Sequence, residues 1–107
     1  MLRRNWFHIL LALAERDLHG SAIAEDVLER THGELRLWPA TLYRALDELA
    51  EEGLAAPLAD DERPEGESRR KQYYCITSEG RRRLAEEAGR LAELAQVAKE
   101  RLGDVGA

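Results

Sequence analysis

The chain opens on an amphipathic run. From Leu2 to Glu15, the residues Leu2, Trp6, Ile9, Leu10 and Leu13 recur at three- and four-residue steps, which predicts a helix with one apolar stripe. Phe7, Leu11 and Ala14 add a second stripe beside it, leaving Arg4, Asn5, His8, Glu15 and Arg16 for the rest of the circumference. A small domain gives a helix one core to face, so the second stripe points to another chain. Asp17-Leu18-His19-Gly20 reads as a turn, followed by a second helix from about Ser21 to Arg30 with Ile23, Val27 and Leu28 inward and Thr31-His32-Gly33 at its end.

Leu35, Leu37 and Trp38 form a short apolar connection to Pro39, whose missing N–H is no loss in the first turn of a helix. That third helix runs to about Glu52 and stops at Gly53. Leu42, Ala45, Leu46 and Leu49 fall on one side; Ala40, Thr41, Arg44, Asp47, Glu48 and Glu51 fall on the other. The outward face is therefore divided along its length. Thr41 and Arg44, with Tyr43 beside them, sit near the N-terminal end, where the helix dipole suits a phosphate; the acids crowd the far end.

Leu54 to Leu58 is predicted as a short strand, with Pro57 implying that one of its sides is unpaired. Ala59 to Ser68 is a polar hairpin loop, and Lys71 to Thr77, rich in strand formers, pairs back onto the first strand. Thr77 or Ser78 caps the last helix, with Glu79 favourable in its first turn. Along that helix Leu84, Ala88, Leu91, Ala95, Ala98 and Leu102 step by alternating fours and threes, a heptad-like seam with Leu94 and Val97 adjoining. The expected fold is mainly α with a two-stranded β wing. It comprises a winged helix-turn-helix over residues 1–77 and a long C-terminal dimerisation helix with its tail over 78–107.

Composition narrows the functional classes. A chain of 107 residues holds one domain with an appendage, and 44% hydrophobic with 35% charged residues marks it as globular. The apolar run Trp6 to Ala14 falls short of the ~20 residues of a membrane span, and Glu15, Arg16 and Asp17 follow it where a signal cleavage site would lie. No membrane partner is expected. A single cysteine, Cys75, allows no internal disulfide and disfavours a Cys-based metal site, and a cytoplasmic location follows. His8, His19 and His32 have no metal-ligand spacing, so no metal or cofactor is expected. There is no phosphate-cradling glycine loop, no nucleophile in a recognisable setting and no carboxylate pair in an evident cleft, which argues against an enzyme.

The net charge of −5 argues at first against nucleic acid. Its distribution argues the other way: Arg69, Arg70, Lys71, Arg81, Arg82 and Arg83 face a single acid, Glu79, across Arg69 to Arg83, so one face can be positive on an acidic body. Arg81 to Arg83 have a plainer reading as solvated helix-surface arginines. Trp6 and Trp38 admit a planar-ligand pocket, against the plainer reading of core or interface packing.

Leu18-His19-Gly20, Pro39-Ala40-Thr41-Leu42-Tyr43-Arg44-Ala45-Leu46, Glu51-Glu52-Gly53-Leu54 and Arg69-Arg70-Lys71-Gln72-Tyr73-Tyr74-Cys75-Ile76-Thr77 are each weak signals. In this order and spacing, over roughly Ile9 to Leu84, they resemble the PadR family of bacterial transcriptional regulators. The resemblance implies a homodimer whose last helix packs on the partner's N-terminal region, binding a two-fold-related double-stranded DNA operator, usually as a repressor. It places Tyr43 and the basic wing residues Arg69, Arg70 and Lys71 at the DNA, beside the Thr41 and Arg44 already singled out. Dimerisation is expected through Phe7, Leu11, Leu84, Leu91, Ala95, Ala98 and Leu102, and a small-molecule inducer is a possible further partner. Gly66-Glu67-Ser68 stands where the family often carries a Gly-Pro pair, and Cys75 where a polar side chain is common. The competing class is a winged helix that serves protein interaction and does not bind DNA, which the acidic total favours.

Overall fold

The structure is a computed structural model and describes residues 1–59 and 71–103. Among the described residues four helices and three strands follow in the order α1 (Arg4–Glu15), β1 (Leu18–His19), α2 (Gly20–Arg30), α3 (Pro39–Glu51), β2 (Ala55–Pro57), β3 (Tyr73–Ile76) and α4 (Ser78–Leu102). The mainly α winged helix-turn-helix expected from the pattern is therefore present, with one strand more than the two-stranded wing. The sheet is antiparallel in the order β1-β3-β2, with Leu18 opposite Tyr74 on one side of β3 and Ala55 opposite Ile76 on the other. Pro57 lies at the edge, opposite Tyr74, where the donor it lacks is not needed on its outer side.

The core is made by the apolar stripes. Ile9, Leu10 and Leu13 of α1, Ile23 and Val27 of α2, Leu46 and Leu49 of α3, and Leu54 are all nearly without solvent contact. Each such side chain stabilises the fold by about 1.5–3 kcal/mol relative to its exposed state. Leu2 is also buried, although α1 begins only at Arg4. Phe7, Leu11 and Ala14, the second stripe of α1, are half-buried and packed against the same core.

Local hydrogen bonds fix where the elements start and stop. The His19 ring nitrogen Nδ1 accepts from the Ala22 N–H at 3.4 Å and caps α2. At the end of α3 the Gly53 N–H donates to Ala50 O and the Leu54 N–H to Leu49 O, a Schellman closure that needs the left-handed backbone glycine supplies at Gly53, φ 74°. Thr77 then ties three elements together. Its hydroxyl donates to Gly53 O at 2.6 Å and accepts from the Gly80 N–H at 2.9 Å, which caps α4. A Cβ on Gly80 would lie 2.0 Å from Leu54 O, so α4 can meet the α3–β2 junction this closely only with glycine there.

The two halves of α4 differ. Leu84 is buried in the chain's own core, and Glu87 is 7% exposed, ion-paired to Arg90. That Arg90 hydrogen bond, more than any other contact, holds the Glu87 carboxyl below the usual carboxylate range. From Leu91 to Leu102 every residue is exposed.

Candidate nucleic-acid interface

Helix α3 presents the split face that its sequence implies. Ala40, Thr41, Tyr43 and Arg44 are exposed near its N-terminus, and Asp47, Glu51 and Glu52 are exposed toward its end. Arg44 has no ion pair among the described residues. Of the acids one turn along, Asp47 and Glu48, the second is taken by Arg3, whose Nη1 donates to Oε2 at 3.0 Å. The Arg44 guanidinium is thus available to a ligand.

Tyr43 leans across the start of α2 while remaining 44% exposed. A Cβ on Gly20 would lie 2.4 Å from the Tyr43 hydroxyl oxygen, so the absence of a side chain at Gly20 is what lets the ring lie there. The same ring neighbours Tyr74 on β3. Burial, then Tyr43 and Asp47, push the Tyr74 phenol above its ordinary value, so it remains a neutral hydrogen-bonding group at physiological pH.

The basic segment divides into three parts. Lys71 is exposed just ahead of β3, whereas Arg69 and Arg70 lie outside the described residues. Among the helix arginines, Arg82 is ion-paired to both Glu79 and Glu86, and Arg81 donates to Ala14 O at 3.3 Å. Arg83 is half-buried. The positive balance counted along Arg69 to Arg83 is accordingly smaller in space than in sequence, because Arg82 is neutralised by its neighbours one turn away in each direction.

Trp6 and Trp38 do not share a pocket within one chain. Trp38 lines a hollow of about 400 Å³ between α2 and α3, with Ser21, Glu25, Pro39 and Tyr43. Trp6 lines another of about 360 Å³, with Arg3, Arg4, Thr41, Arg44 and Glu48. Each indole carries an arginine over its face: Arg36 at 5.1 Å from the Trp38 ring centre and Arg3 at 4.8 Å from that of Trp6. These arginines are not among the residues that the sequence pattern points to. In Leu35-Arg36-Leu37-Trp38 the two leucines turn inward and Arg36 and Trp38 turn out, an alternation legible in the residues themselves.

Of the expected dimerisation residues, Leu84 faces the chain's own core and Phe7 and Leu11 are half-buried against it. Leu91, Ala95, Ala98 and Leu102 are exposed. Cys75 is half-buried on β3 opposite Ala56. Among the described residues no cluster of His, Cys, Asp or Glu is gathered that would hold a metal ion, and no helix is long and apolar enough to cross a membrane.

A sequence model of the transcriptional regulator PadR-like family matches residues 9–86, which spans α1 from Ile9 onward, α2, α3, the sheet and the start of α4. The chain belongs to this family. PadR-like proteins are transcriptional regulators rather than enzymes. The fold agrees with a PadR family transcription regulator from Clostridium difficile at a TM-score of 0.75 and 25% identity, over 94% of this chain and all of that one. It agrees also with Bacillus subtilis PadR in complex with operator DNA at a TM-score of 0.67 and 22% identity, over 80% of this chain and 47% of that one. At that identity the second likeness is one of fold. A 37.1 kDa protein of transposon TN4556 in Streptomyces fradiae is 38% identical over 86 residues, and the chain spans only 22% of its length.

Proposed function

We propose that this PadR-like regulator binds a two-fold-related operator as a homodimer and represses transcription there. The observation that carries the reading is the N-terminal half of α3, where Thr41, Tyr43 and Arg44 stand exposed and Arg44 has no ion pair among the described residues. Recognition helices reach base edges chiefly with such N-terminal residues, inserted in the major groove. The wing residues Arg69, Arg70 and Lys71 hold flanking phosphates, which fixes position without reading sequence. Bacillus subtilis PadR, which shares the fold, is seen in complex with operator DNA. Dimerisation is assigned to the distal half of α4 through Leu91, Ala95, Ala98 and Leu102, with Phe7 and Leu11 of the partner's α1 as the surface it meets. Leu84, turned into the chain's own core, anchors that helix. Any small-molecule inducer would act by favouring one spacing of the two α3 helices over another, which requires different affinity for the two arrangements.

A gel-shift titration on the DNA upstream of the protein's own gene, run as a salt series against random duplex, tests the reading. Preferential binding is expected. Arg70→Ala lowers the salt slope by about one unit per protomer, and Arg44→Ala changes base preference. Equal binding to random duplex would favour the protein-interaction class, for which the exposed Asp47, Glu51 and Glu52 are the surface.

A further inference from the structure

We infer that two stacked arginine–tryptophan pairs, Arg36 on Trp38 and Arg3 on Trp6, flank α3 and grip DNA backbone phosphates on both sides of it. This rests on the DNA-binding reading and adds to it a second set of phosphate contacts, built on α1 and on the α2–α3 connection.

Placement carries the inference. The Trp38 hollow meets α3 at Pro39, Leu42 and Tyr43, and the Trp6 hollow meets it at Thr41, Arg44, Ala45 and Glu48. At 3.6 residues per turn these two sets lie on opposite flanks of the helix, with the exposed face of Ala40 and Asp47 between them and Arg44 at its border with the Trp6 flank. A helix lying in a groove has a phosphate backbone on each flank, which is where these two guanidiniums stand.

Trp38 is otherwise hard to account for. It is 64% exposed, so it does not serve the core, and it occupies the N-cap of α3 without making a side-chain cap. Serine, threonine or aspartate there would stabilise the helix start by about 1 kcal/mol. What the indole does supply is a flat support for Arg36. A guanidinium lying on an aromatic face keeps its five donors at its rim, ordered before any ligand arrives, and two of them match the oxygens of one phosphate. Ordering the side chain in advance removes part of the entropic cost of contact.

The charges agree. Arg36 has no ion pair among the described residues, and the acid on its side of α3 is Glu25. On the other flank Arg3 gives one nitrogen to Glu48 and keeps its remaining donors, with Arg4 and Arg44 lining the same hollow. By engaging Glu48, Arg3 also removes an acid from the edge of the face that meets DNA. An acidic chain that binds DNA needs such local reversal of sign, and Arg82, spent on Glu79 and Glu86, does not provide it.

Because phosphate contacts are blind to sequence, the test uses a mixed-sequence duplex of about 30 bp and fluorescence anisotropy in a salt series. Arg36→Gln lowers affinity about tenfold and the salt slope by about 0.9 for each phosphate it no longer neutralises. Arg3→Gln, made in a Glu48→Gln background so that no acid is set free, does the same relative to Glu48→Gln alone. Trp38→Leu leaves the cation but removes its support, lowering affinity by a smaller factor, about threefold, with the slope unchanged. Arg16→Gln, an exposed arginine outside both hollows, leaves affinity within about twofold of the parent and the slope unchanged. In Trp6→Phe, Trp38 is the sole tryptophan, and its quenching by acrylamide falls on adding duplex. Matching circular dichroism melts confirm that the variants fold. If the parent protein binds no duplex even at low salt, the DNA-binding reading itself falls. If the parent binds and Arg36→Gln, and Arg3→Gln in the Glu48→Gln background, behave like Arg16→Gln, the flanking grip falls alone, and an effect on one flank only overturns its two-sided form.

Discussion

Helix α3 and the distal half of α4 carry similar apolar stripes and meet opposite fates. In α3 the stripe Leu42, Ala45, Leu46 and Leu49 is covered by the chain itself, at 4% exposure or less. In α4 beyond Arg90, Leu91, Leu94, Val97 and Leu102 stand 37–60% exposed. Periodicity measures how apolar one side of a helix is and not what covers it. The covered stripe is a means of folding, and it frees the opposite side of α3 for a ligand. The bare stripe has the spacing of a helix seam and no partner within the described residues, which is why dimerisation is assigned to it.

The largest effect should follow from breaking the covered stripe. Leu46 is wholly buried in the core that α3 shares with α1 and α2, and Leu46→Ala leaves a cavity, so unfolding should be easier by about 3 kcal/mol and Tm lower by more than about 10 °C. That destabilisation should persist at every protein concentration. A change under about 1 kcal/mol would mean that the core around α3 collapses freely. Leu94→Glu, by contrast, should cost the single chain less than about 0.5 kcal/mol, because residue 94 is already half in water. Its effect should appear in sedimentation, as a shift from dimer to monomer, and in a Tm that no longer depends on concentration. If Leu94→Glu sediments like the parent, the bare stripe is not the dimer seam.

How much of this is legible in the residues differs along the chain. The stripe of α3, its stop at Gly53 and the cap at Thr77 follow from spacing and from residue types whose hydrogen-bonding roles are local. Strand β1 is not legible. Two residues cannot display a period of two, and Leu18 is a strand residue only because Tyr74, far along the chain, pairs with it. The positive sign of the Arg69 to Arg83 stretch is weaker than its count for a reason the sequence does contain, since Glu79 and Glu86 sit three and four residues from Arg82. Spacing assigns Trp38 to an apolar connection; in the structure Leu37 serves the core, and the indole is left outside beneath Arg36. Leu84 belongs to the heptad-like seam by spacing and to the chain's own core by position, because α1 packs on α4. Sequence distance decides what can be read: contacts within a turn or two are visible, and those made by tertiary placement are not.

The smallest effect concerns pH and belongs to the covered half of the comparison. His8 on α1 is half-buried, its ring edge-to-face with Phe7, and Arg30 of α2 donates from Nη1 to His8 Nδ1 at 3.2 Å and from Nη2 toward its carbonyl at 3.5 Å. Burial, and then the positive charges of Arg30 and Arg4, hold the imidazole below its ordinary value of 6.5. An acceptor role at Nδ1 requires the neutral ring, so protonation gives up that bond and places three cations together. The unfolded chain therefore binds the proton more readily than the folded one. The α1–α2 contact is at full strength above about pH 6.5 and weakens as pH falls from there through the lowered value, below which its contribution is gone. Between about pH 7.5 and 5.5 the parent should drop by a few degrees of Tm relative to His8→Gln, equally at all protein concentrations, since both partners of the contact lie in one chain. If the two proteins show the same pH slope, the Arg30–His8 contact does not contribute to stability; if the difference grows with concentration, His8 acts at the interface between chains.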